Sequence, residues 1–326
     1  MKQRVDKLDS MKASIIIATY NRSTYLSLCL DGLAAVKTKS DIFEIILVDN
    51  NSTDNTKEII QNYIEEHPTV CVRYIFEPKQ GASLARNQGI KQAIGEIICF
   101  LDDDAVPDPD WLDAMFEGFT DPTIGCVGGP AILDFLGKEI PPWLQGDLKG
   151  LLSGYGLGYS QPTFITDIAE YPFLCNMAIR RSVLDEVGLF RTDLGPSGKN
   201  LVVGEETELI GRIRQGGWKV LYLPEAKVRH LVAPERLEKK YIYRSGLRLA
   251  VTHVCVTFDK RPVMVLRWFA SDFWYTLRMF IWFLIALLRR NPLWFDDYMR
   301  FWMVAKRIPL RIKALLWGKM NIIIQY

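Results

Sequence analysis

Four short apolar runs rich in β-branched residues alternate with stretches of helical periodicity, and each run closes on polar residues. They are "ASIIIATYN" from Ala13, "FEIILVDNN" from Phe43, "VCVRYIFEP" from Val70 and "EIICFLDDD" from Glu96. Runs without polar alternation suit strands buried on both faces. Between the first two, Tyr25, Leu28, Cys29 and Leu33 recur at the spacing of one helix face. "KEIIQNYIEEH" and "GASLARNQGIKQA", the latter opened by Gly81, predict two further helices. Strand alternating with helix means right-handed βαβ units, hence an α/β chain with a mainly parallel, twisted sheet flanked by helices. Such sheets hold ligands beyond the carboxyl ends of their strands. Thr19–Arg22, Asp49–Asn51 and Asp102–Asp104 all fall there, so three polar clusters converge on one rim.

The third cluster sets adjacent carboxylates together at the end of a buried strand. Like charges so placed repel unless a cation sits among them. Mg²⁺ or Mn²⁺ is the natural guest, because such ions prefer carboxylate oxygens and commonly bridge phosphates. Asp108 and Asp110 read differently, as caps of the following helix "DWLDAMFEGF".

At these residues a resemblance emerges. "SIIIATYNR", "ILVDNNSTDNT", "GASLARNQGI", "FLDDDAVPDPDWL", "CNMAIRR" and "GEETEL" follow one another as in the family 2 inverting glycosyltransferases of the GT-A fold, from about Ser14 to His230. The chain resembles that family over roughly two thirds of its length. The resemblance implies a GT-A (nucleotide-diphospho-sugar transferase) domain over 13–232, after a flexible N-terminus over 1–12. It implies transfer of a sugar from a nucleotide-diphosphate donor, expected to be a UDP-sugar, to a glycan or lipid-linked acceptor, with inversion and with Mn²⁺ or Mg²⁺. Carried over residue by residue, Ala18, Thr19, Tyr20 and Arg22 would line the nucleotide pocket, with Asp49 accepting a hydrogen bond from the base. Gly81, Arg86 and Asn87 would border the nucleoside and phosphates, a role that suits a guanidinium. Asp102, with Asp103 beside it, would face the donor, and Asp104 would hold the metal. Asn50 and Asn51 stand where the family often has Asp and Gly, so an altered turn is expected.

Inversion needs a general base within reach of the attacking hydroxyl. "GEETEL" supplies Glu205 and Glu206 where the family usually has Glu-Asp; Glu206 matches the base by position, and Glu205 remains the alternative. His230, at the end of a strand-like run, resembles a further metal or phosphate contact. Asn176, Arg180, Arg181 and Trp143 are acceptor-side candidates. Leu133–Tyr159, rich in Gly and Trp, reads as a mobile loop over the acceptor.

Beyond residue 232 the character changes. From Cys255 to Tyr326 the chain carries 12 Lys and Arg against 4 Asp and Glu, whereas the whole has a net charge of only +2. Tryptophans crowd the same region. An amphipathic helical extension over 233–326, lying in the headgroup plane of an anionic membrane, fits this composition. A span is disfavoured, because Asp272 and Arg278 interrupt the apolar run and leave ten residues, Met279–Leu288, where about 20 are wanted. The six cysteines lie far apart and read as reduced thiols; with no apolar leader in "MKQRVDKLDSMK", the expected place is the cytoplasmic face of a membrane. No nucleic-acid partner is expected, and an oligomer remains open. A nucleotidyltransferase is the rival enzyme class, but "ATYNRSTYL" lacks its Gly-rich basic loop; a membrane-attached assembly protein keeping a relic site is the non-enzymatic rival.

Overall fold

The computed structural model describes residues 11–38, 43–167, 170–197, 202–256 and 262–317. The expected flexible N-terminus falls mostly on 1–10, outside the described residues. Met11 is buried and the Lys12 carbonyl accepts from Ile97 N–H, so order begins there. Two compact units form. The first holds the described residues of Met1–Asp134, Ser153–Leu194 and Glu205–Leu231; the second holds those of Phe135–Leu152, Gly195–Gly204 and Val232–Tyr326.

The first unit is built on β1 (Ala13–Thr19), β2 (Phe43–Asp49), β3 (Cys71–Phe76) and β4 (Ile97–Leu101), paired parallel in the order β3-β2-β1-β4. Helices α1 (Ser23–Ala34), α2 (Thr56–Glu66) and α3 (Ala82–Gln92) connect them. Further along come β5 (Ala105–Pro107), α4 (Trp111–Gly118), β6 (Ile124–Gly128), β7 (Ala131–Asp134), β8 (Thr163–Phe164) and β9 (Asn176–Arg180). Then follow α5 (Arg181–Val187), α6 (Glu205–Gln215), β10 (Lys219–Tyr222) and β11 (Val228–Leu231). β9 inserts antiparallel between β4 and β6, and β10 and β8 complete the sheet of eight strands. β5, β11 and β7 form a second, small sheet.

The two-residue strand period explains the layering. Ile15, Ile17, Ile45, Leu47, Cys99 and Leu101 point to one face, where α1, α2 and α4 cover them. Ile16, Ile46, Val48, Ile98 and Phe100 point to the other, under α3, α5 and α6. A chain buried on both faces must be apolar throughout, which is how these runs read. Register then sets the rim: Thr19 pairs with Asp49, Asp49 with Phe76, and Ile16 with Phe100, so β1, β2 and β4 end side by side.

The second unit contains a 3-10 turn (Gly146–Leu152) and the helices α7 (Lys239–Val256), α8 (Pro262–Leu288) and α9 (Trp294–Trp317). Trp143 packs edge-on against Phe295 of α9 at 5.4 Å, and Arg300 links Asp147 and Asp296 at 2.8 and 3.0 Å. α8 is one uninterrupted helix of 27 residues, about 40 Å long. It alone among the described helices is long and apolar enough to cross a membrane, by length and composition. Asp272 does not break it, because its carboxylate turns inward to α9: Arg311 Nε donates to Asp272 Oδ2 at 2.5 Å, both residues are buried, and the guanidinium lies over Trp268. On the outer side, Trp274, Leu277, Ile281, Leu284 and Leu288 recur at helical spacing and all stay exposed.

Candidate active site

After β4 the chain turns sharply through Asp102–Asp104 into β5. Ala105 N–H donates to Asp102 O, and Asp104 O accepts from Leu231 N–H, so the triplet is pinned to β11. The same pinning seats His230, paired in register with Ala105, with Nε2 3.2 Å from Asp104 Oδ1. His230 is 1% exposed and its Nδ1 has no hydrogen-bond partner. Arg22, the residue just before α1, sets a single nitrogen between two of the acids: Nη1 is 2.9 Å from Asp103 Oδ1 and 2.7 Å from Asp104 Oδ2. Burial alone would lower the Arg22 pKa, but the charges of Asp103 and Asp104 outweigh it and raise it. Asp103 is pushed up to about 6, by burial first, against the pull of Arg22 and with the push of Asp104.

A second ion network stands beside the first. Arg86, on α3, donates from Nη2 to Asp102 Oδ1 at 3.0 Å and from Nη1 to Glu205 Oε1 at 3.1 Å. Glu205, Glu206 and Glu208 make an acidic first turn on α6, where the helix dipole favours them. Glu205 is buried and tied to Arg86, with Oε2 unpartnered; Glu206, half-buried, is pushed up to about 8 by burial and then by the Glu205 charge. Asp102, Asp103, Asp104, Glu205 and Glu206 thus share two guanidinium groups. That excess of carboxylate is what a divalent cation would offset. Among the described residues no three metal-ligating side chains cluster, so the ion's protein ligands would be Asp104 and His230. A hard ion held by one or two side chains fits if donor phosphate and water supply the rest.

The ends of β1 and β2 are held by a different set. Asp49 is buried; Oδ1 accepts from Ser52 N–H at 2.8 Å and Oδ2 from Tyr74 Oη at 3.0 Å. Asn50 ties this turn to the start of α3: its amide donates to the Glu77 and Lys79 carbonyls and accepts from Gly81 N–H. Asn51 has φ 66°, the left-handed region that Asn tolerates, so at this turn it adopts a conformation that glycine also serves. Asn21 Oδ1 accepts from Thr53 N–H, and Asp54 accepts from Ser23 N–H, locking the β1 and β2 ends together. Thr19 is buried at this junction with its hydroxyl toward Asp103, Ala18 is half-buried and Tyr20 is exposed.

Several candidates are engaged elsewhere. Asn87 uses both ends of its amide on the Phe190 backbone, at 2.8 and 3.0 Å. Asn176 lies in the core, accepting from Trp111 Nε1 and donating to the Pro130 and Ala226 carbonyls. Arg180 pairs in register with Ile97, at the opposite end of β4 from the acids, and binds the Ile124, Phe119 and Asp121 carbonyls; Arg181 binds Gly95 O beside it. Neither arginine stands on the acid rim. Asp110 makes no side-chain cap bond to α4, contrary to expectation. Trp143 belongs to the second unit. Sequence reading placed Asn50 on the rim without a role and missed Tyr74. Tyr74 was legible in principle, because the period of two puts it on the same face of β3 as Phe76, the residue paired with Asp49.

The family model described as glycosyl transferase family 2 matches residues 14–188, more than half of the chain. A glycosyltransferase of Nostoc sp. is 34% identical over 184 residues, 54% of this chain and 53% of that one. A glucosyl-dolichyl phosphate glucuronosyltransferase of Haloferax volcanii is 23% identical over 238 residues, 72% of this chain and 74% of that one. Among solved structures, a mannosyltransferase of Pyrobaculum calidifontis in complex with GDP-Man and Mn²⁺ has the same fold. Its TM-score is 0.64, its identity 19%, and the match covers 95% of this chain and 89% of that one.

Proposed function

Because the chain belongs to glycosyl transferase family 2 and is a glycosyltransferase of glycan synthesis, we propose that it moves a sugar from a nucleotide-diphosphate donor to a hydroxyl of a glycan or lipid-linked acceptor, inverting the anomeric carbon. The carrying observation is the rim itself, where Arg86 bridges Asp102 to Glu205 while Asp104 meets His230. Glu206 takes the proton of the acceptor hydroxyl. The acceptor oxygen then bonds to the anomeric carbon as the bond to the diphosphate breaks on the opposite face, and that electron pair leaves with the diphosphate. Asp104 and His230 would hold Mn²⁺ or Mg²⁺, which when bound supplies Lewis-acid stabilisation of the leaving group. Arg86 pairs with Glu205 and holds that carboxylate beside Glu206, whose pKa is raised by burial first and by the Glu205 charge second.

The donor is read as a UDP-sugar, with uracil N3–H meeting Asp49. Guanine would offer two donors to the same carboxylate, so GDP-sugars are the comparison to run. The lipid-linked acceptor draws support from the name of the Haloferax relative. It also draws support from the exposed apolar stripe of α8 and the basic balance around it, which we assign to the cytoplasmic face of a membrane, with 13–232 as the transferase domain and 233–326 as the attachment.

The test is release of nucleoside diphosphate from UDP- and GDP-sugars by full-length protein, with Mn²⁺, with Mg²⁺ and with chelator, in the presence of lipid extract. Anomeric configuration of the product is read by NMR. Metal-dependent release from one donor with an inverted product is the expected result; release from none, or a retained anomer, would reject the reading.

A further inference from the structure

We propose that Arg22 is a built-in substitute for the divalent cation, neutralising Asp103 and Asp104 while the site holds no metal and giving up Asp104 when one enters. The inference rests on the assignment of Asp104 and His230 as the metal-holding pair.

Four observations carry it. Arginine usually meets a carboxylate through two nitrogens in a fork, yet here the single Nη1 bridges two different carboxylates, at 2.9 and 2.7 Å, as a point charge would. The two acid side chains are only 5% and 2% exposed, and adjacent buried carboxylates do not both stay charged without a cation between them. Asp104 meets His230 through Oδ1, so Oδ2, the oxygen facing Arg22, is the one an incoming ion must contest. Finally, the Arg22 side chain is 28% exposed and already lies 5.4 Å from the Tyr25 ring, so it has a face to rest on when displaced. Its backbone stays put, since Asn21 and Ser23 on either side are bonded to Thr53 and Asp54. Only the side chain need move.

The consequence is cooperative loading. Metal alone must displace a guanidinium whose resting place is the uncharged Tyr25 ring; a donor diphosphate offers that guanidinium a new anion, so each ligand favours the other. Mn²⁺ binding to full-length protein, followed by the electron paramagnetic resonance of free Mn²⁺ with and without UDP, measures this directly. Wild type should bind Mn²⁺ weakly alone and about 10- to 100-fold more tightly with UDP. Arg22→Gln should bind Mn²⁺ alone at least ~10-fold more tightly than wild type and lose most of the UDP enhancement. Arg22→Lys, which retains one cationic nitrogen, should stay near wild type and show that the position tolerates substitution. Unchanged or weaker Mn²⁺ affinity in Arg22→Gln, with Arg22→Lys binding normally, overturns the proposal while leaving the metal site standing. If wild type and both variants fail to bind Mn²⁺ even with UDP, the metal assignment falls and this proposal with it.

Discussion

Arg86 and Glu205 stand 119 residues apart in the chain and 3.1 Å apart in the fold. That contact separates two adjacent glutamates that sequence alone could not rank. Glu205 is buried against a permanent cation, whereas burial first and the Glu205 charge second raise Glu206 above its ordinary value. Glu206→Gln should therefore lower kcat for transfer by about 10²- to 10⁴-fold and leave the Kd for the donor near wild type. Parallel loss of donor binding, measured by calorimetry, would mean that the residue is structural.

The pH profile follows from the same pair. Glu206 is raised from an ordinary 4.5 to about 8, by burial first and Glu205 second. Its basic form accumulates only as pH rises, so kcat/KM should climb about tenfold per unit and level off above 8. Removing the neighbouring charge with Glu205→Gln should move that limb to lower pH. Stability runs the other way. The folded chain keeps this proton between 4.5 and 8 where the unfolded chain has lost it, so the contribution is complete at low pH and lost as pH rises through 8. A limb that does not move in Glu205→Gln counts against the assignment.

Metal removal gives a third outcome. Chelation, or Asp104→Asn, should reduce nucleoside diphosphate release by about 10²-fold or more, and added Mn²⁺ should restore the chelated wild type only. His230→Ala should weaken Mn²⁺ by about 10-fold, since Asp104 remains. Full activity in chelator would remove the metal from the mechanism.

Asn87 should behave as a stability residue. Its amide closes two hydrogen bonds with the Phe190 backbone, and Asn87→Ala leaves both backbone groups buried without partners. A loss of about 1–3 kcal/mol is expected, seen as a lower Tm, with donor affinity unchanged well below that temperature. A donor defect with an intact Tm would restore it to the nucleotide pocket.

On α8, the triple replacement Trp274→Gln, Ile281→Gln and Leu284→Gln strips the exposed stripe without touching the buried Asp272. Co-flotation with vesicles containing anionic lipid should fall at least ~10-fold. Equal flotation of both proteins would place the attachment elsewhere.

The strands and the rim were legible because burial on both faces leaves a plain signature, an unbroken β-branched run closed by polar residues. Ile15 to Thr19 and Ile98 to Asp104 each say locally where they end. What was not legible joins distant segments. Nothing in "CNMAIRR" announces that it runs antiparallel between β4 and β6, which is why Asn176 and Arg180 read as acceptor residues and instead serve the core and the far edge of the sheet. Nor does local spacing reveal that Arg22 reaches across 82 positions to Asp104. Asp272 misled for the same reason. Seen in its own segment it interrupts an apolar run, whereas its countercharge, Arg311, comes from another helix.

That countercharge has a practical corollary for anyone shortening the chain. A boundary drawn between α8 and α9 would strip the buried Asp272 of the Arg311 guanidinium, and the exposed greasy helix would be joined by a naked acid. The two helices are inseparable goods: a soluble version must lose both, and a chimera that borrows one must borrow the other.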